Sequence, residues 1–62
     1  MSNLDTTTGC IRQAMECLTE AMKDIEDGEI QEAAGQVQRA VGRLGFAALF
    51  LVHAAFDQVH KR

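Results

Sequence analysis

A chain of 62 residues makes one domain at most, and folding at that size removes only about 60 % of the unfolded surface from water, so stability calls for a disulfide, a metal or a second chain. A hydrophobic fraction of 47 % argues against disorder, and a net charge of −3 opposes a general nucleic-acid-binding role, which needs a basic face. Pro is absent and no run of strand formers is bounded by turn residues, while Ala, Glu, Gln, Leu and Met abound; the composition predicts an all-α protein.

Met1 to Asp5 reads as a loose lead that lacks the basic segment and apolar core of a secretory signal, which points to a cytoplasmic protein. Thr6, Thr7 and Thr8 follow as candidate N-caps, each able to bond an orphan amide at the start of a helix. Helix 1 is expected over about 6–27. Leu4, Ile11, Leu18 and Ile25 recur every seventh residue, Ala14 and Ala21 repeat three positions on from Ile11 and Leu18, and Met15 and Met22 widen the stripe. Cys10 and Cys17 flank its other side, and Arg12, Gln13, Glu16, Glu20, Lys23 and Glu26 form the solvated face.

Glu26-Asp27-Gly28-Glu29 is the break, because Gly28 can take the left-handed conformation that ends a helix. Asp27 is the expected cap of the next helix, with Glu29 and Glu32 in its first turn, where negative charge meets the positive end of the helix dipole. A connection this short makes the two helices antiparallel neighbours.

Helix 2 is expected over about 29–60. Ile30, Val37, Leu44 and Leu51 hold heptad spacing, with Ala33, Ala40, Ala47 and Ala54 three positions later and Ala34, Val41, Ala48 and Ala55 beside those. Alanine repeated at this interval on both helices predicts a close seam between them, toward the lower end of the usual 8–10 Å separation. Gly35, Gly42 and Gly45 suggest close approach of another backbone or local bending. A break near Gly45 would give a monomeric three-helix bundle, but no Ser, Thr, Asp or Asn stands nearby to cap a third helix and the apolar period continues in phase.

Leu44 to Phe56 contains no Asp, Glu, Lys or Arg and holds all three aromatic residues. A helix apolar nearly all round must be covered on more than one face. The run of thirteen residues is short of the roughly 20 that span a bilayer, so no membrane is implied. With helix 2 longer than helix 1 by about 15 Å, the overhang calls for a second chain. Phe46, Leu49, Phe50, His53 and Phe56 are the candidate dimer or partner interface, in a homodimeric four-helix bundle with two-fold symmetry.

Other constellations carry less. Cys10 and Cys17 lie about 10.5 Å apart along one helix, too far for an internal bridge, and read as reduced structural thiols. His53, Asp57 and His60 share a helix face with the i, i+3 carboxylate–imidazole spacing found in bundle metal sites, but helix 1 turns its acids to solvent, so they are weak metal candidates and no cofactor is implied. Arg39 and Arg43, with Lys61 and Arg62, are weak nucleic-acid contacts that dimerisation would duplicate. No Ser-His-Asp set and no phosphate loop stands in the chain, so it reads as a non-enzymatic regulator or adaptor that binds protein.

Overall fold

The computed structural model describes residues 3–60, with side chains from Leu4 to Val59. Two helices make up the fold, α1 over Asn3–Glu26 and α2 over Ile30–His60, packed against each other as a hairpin. The hairpin is a flat rod of 52 × 17 × 12 Å, and its radius of gyration of 14.8 Å compares with roughly 10–11 Å for a compact chain of this length. A two-helix ribbon one helix thick has no interior away from its single seam.

Helix α1 begins three residues before the threonine run, so Thr6, Thr7 and Thr8 are helical residues and not caps. The Thr8 hydroxyl donates back to the Leu4 carbonyl at 3.0 Å, and Thr19 does the same to Met15 at 2.9 Å. Met1 and Ser2 lie outside the described residues.

The connection is a glycine-terminated C-cap. Gly28 takes φ +81°, its N–H donates to the Ile25 carbonyl at 3.1 Å, and the Glu29 N–H donates to the Asp24 carbonyl at 2.7 Å, which satisfies two of the carbonyls orphaned at the end of α1. Glu29, and not Asp27, is the N-cap of α2, since its carbonyl accepts the Ala33 N–H at 3.0 Å while the Asp27 N–H still points back to Lys23. Only Glu32 is acidic in the first turn. Helix α2 then runs unbroken through Gly45, which removes the three-helix alternative.

Among the described residues, alanine is the only hydrophobic residue type buried at the seam. Ala14, Ala21, Ala33, Ala40 and Ala47 are the buried apolar residues, each at most 4 % exposed, and Thr7 joins them at 2 % one heptad before Ala14. Pairing Ala21 with Ala33, Ala14 with Ala40 and Thr7 with Ala47 brings Leu4 level with Phe50 and Leu51, with which it lines a common cleft at the open end. At 1.5 Å per residue α2 exceeds α1 by about 10 Å, less than the sequence suggests, because α1 starts early. Phe50 therefore lies beside α1, and the uncovered end begins past Leu51.

The glycines do not serve this seam. A Cβ built on Gly35, Gly42 or Gly45 meets nothing within 4 Å, so close approach of α1 explains none of them.

Two glycine substitutions should thus act in opposite directions. Gly28→Ala should lower stability by about 1–2 kcal/mol through its left-handed backbone, and Gly35→Ala should raise it by about 0.5–1 kcal/mol, as read from chemical denaturation midpoints. At the seam, Ala40→Leu should cost about 1–3 kcal/mol by forcing the helices apart.

Candidate functional site

The heptad residues that flank the seam define the available surfaces. With about 100° per residue, a position three before a seam alanine points roughly 60° to one side of it, and the position after the alanine about 100° to that same side. Because α1 and α2 are antiparallel, this side is shared by both helices. Leu4, Ile11, Leu18 and Ile25 on α1 therefore lie beside Ile30, Val37, Leu44 and Leu51 on α2, with Met15, Met22 and Val41 further out.

This aliphatic face runs the full length of the hairpin and is largely uncovered. Leu18 and Leu44 are 39 % and 41 % exposed next to the seam, and Met15 and Val41 are 62 % and 63 % exposed beyond it. Among the described residues, no aliphatic side chain larger than alanine is buried. A trough of about 660 Å³ along α1, with Ile11 and Met15 among its lining residues, borders the same face.

The opposite side has a different character. Cys10 and Cys17 are half-buried free thiols along α1, followed toward the turn by Glu20 and Asp24. On α2 the exposed Arg39 and Arg43 lead into Phe46, half-buried Phe50, and exposed His53. The rings of Phe46 and Phe50 stack at 6.4 Å between centroids and 22° between planes, an offset pair that presents one apolar block. Leu49 and Phe56 lie at the outer edge of this block, 61 % and 58 % exposed. At the open end, Leu4, Phe50, Leu51, His53, Ala54 and Asp57 are among the residues lining a cleft of about 440 Å³.

The five residues expected as an interface thus share one flank of α2, and the arginines continue the same flank toward the turn. Lys61 and Arg62 lie outside the described residues, as does the His60 side chain. His53 and Asp57 are one turn apart on the exposed surface of α2, and among the described residues no three His, Cys, Asp or Glu side chains converge as metal ligands would.

The aliphatic face is the surface that the heptad pattern concealed. Its residues form the obvious stripe of an amphipathic helix, and in the sequence the contact between the helices goes to the alanines, with no surface of its own assigned to this stripe. The signal that places them outside is the alanine repeat three positions on: once alanine occupies the seam, the larger residues must lean to one side of it.

Helix α2 over Ile30–Val59 is also long and apolar enough, by composition alone, to cross a membrane, its most apolar 18 residues having a mean hydropathy of 1.4. No protein-family model matches the chain, and no curated protein or solved structure shows significant similarity to it.

Proposed function

We propose that this chain is a small non-enzymatic regulatory or adaptor protein that acts by binding protein, as a homodimeric four-helix bundle closed over the aliphatic face. The observation that carries this reading is the inversion of the expected core, in which alanines are buried while Leu, Ile, Met and Val side chains remain in water. Each such residue, between about two-fifths and two-thirds exposed, forgoes a corresponding part of the roughly 1.5–3 kcal/mol that full burial gives.

Surface area supports the same conclusion. A compact 6.8 kDa chain exposes about 4,000 Å², whereas the hairpin exposes 5083 Å². The excess of about 1,100 Å² per chain amounts to some 2,200 Å² for two copies, in the range of obligate homodimers. Two flat hairpins laid face to face are the natural cover, since self-complementary two-fold pairing is the commonest closed assembly. The aromatic flank of α2 then remains on the outside of the bundle as a second protein-binding surface.

We place the protein in the cytoplasm and not across a bilayer. Arg43 and Asp57 are about 21 Å apart along α2, inside the roughly 30 Å hydrocarbon thickness, so a spanning α2 would bury charge in lipid. Nucleic acid is disfavoured because the flank that carries Arg39 and Arg43 also carries Glu20, Asp24 and Glu32.

Sedimentation equilibrium should give at least twice the 6.8 kDa chain mass at micromolar concentration, and Leu44→Asp should weaken that association by at least a hundredfold. The melting temperature of the unmodified chain should rise with protein concentration, as mass action requires when folding and association are coupled. A concentration-independent melt of a well-folded monomer would sink the reading.

A further inference from the structure

Away from the aliphatic face, Arg39, Arg43, Phe46, Phe50, His53 and Asp57 follow one another at alternating spacings of four and three along one continuous helix. These spacings keep them on a single stripe. Reversed, the stripe is complementary to itself in charge at its two ends and alike at its aromatic centre. Laid antiparallel on itself about the level of Ala48, it sets Arg39 opposite the partner's Asp57, Arg43 opposite the partner's His53, and Phe46 opposite the partner's Phe50.

We propose that this stripe is an interface to a second copy of the same chain, with the two α2 helices antiparallel about a two-fold axis at Ala48. The protein bound by the aromatic flank is then another copy. This rests on the reading above only for the size of the assembly: with the aliphatic faces already joined, pairing through the opposite side takes the particle beyond two chains.

Charge complementarity selects this occupant and this register. An ion pair closes each end of the stripe, and the stacked Phe46–Phe50 block of each copy meets its counterpart at the centre. A parallel arrangement would set Arg39 on Arg39 and Asp57 on Asp57, which like-charge repulsion opposes. Overlap is nearly complete as well, since antiparallel pairing about Ala48 covers residues 36–60 of α2, whose two helices then lie side by side for roughly 36 Å. Both charged ends are exposed in the hairpin, so exchanging their charges leaves the protomer fold undisturbed.

The test is a charge swap read by sedimentation velocity on the full chain, over a few to several hundred micromolar. The unmodified protein should form particles of four chains or more. Arg39→Asp alone and Asp57→Arg alone should each weaken that step at least tenfold and leave a dimer, and the two together should restore it. Leu44→Asp is run in parallel. A dimer that Leu44→Asp dissociates and Arg39→Asp leaves intact would overturn the stripe interface while supporting the aliphatic dimer. A dimer that Arg39→Asp dissociates, that the double swap restores and that ignores Leu44→Asp would support the stripe and overturn the aliphatic dimer. Larger particles indifferent to both single swaps, or a bare monomer, would overturn the inference.

Discussion

The alanine seam governs everything else in this molecule. Where two helices meet on alanine their backbones come close, the contact is narrow, and every larger side chain is pushed to the flanks. A hairpin built this way gains precise alignment of its helices but little buried area, because each seam alanine carries only one methyl group. The bulky residues that would make a core in an ordinary small domain are displaced to one side of a flat ribbon, where only something external to the hairpin can cover them.

Much of the fold was legible in the sequence. Composition and period specify two helices, Gly28 marks the turn, and the heptad alanines from Ala14 to Ala47 mark the seam. Continuity of α2 through Gly45 follows from the unbroken apolar phase and the lack of a capping residue there. The cap residues were less legible: Asp27 and the threonines have the right chemistry for N-caps, but the glycine turn and the early start of α1 leave them no such position. Capping preference is a local tendency of about 1 kcal/mol, small enough for the packing of a whole helix to override.

The surfaces were legible only in part. The clustering of Phe46, Leu49, Phe50, His53 and Phe56 on one flank follows from helical spacing. The outward lean of Ile11, Leu18, Val37 and Leu44 is implied by the alanine repeat, but the extent of their exposure is not, because periodicity fixes direction around a helix and not how much of a flanking side chain the neighbouring helix covers. The overhang likewise shrinks to about 10 Å once α1 begins at Asn3, which moves the main uncovered surface from the end of the hairpin to its side. The proposal of a second chain therefore rests on lateral exposure along both helices more than on a difference in their lengths.

Two unlike faces on opposite sides of one ribbon have consequences for assembly. In the proposed assembly the chemically uniform aliphatic face would give strength without much registry, and the charged and aromatic stripe on α2 would give registry with a smaller apolar area. In the proposed dimer the aliphatic side chains lie against another copy of the chain. Isotope-filtered NOE spectroscopy on a mixture of labelled and unlabelled protein tests it most directly. A dimer closed over this face gives contacts between chains from the methyl groups of Val37 and Leu44 to those of Ile11 and Leu18, and a folded hairpin without any such contacts would rule that dimer out.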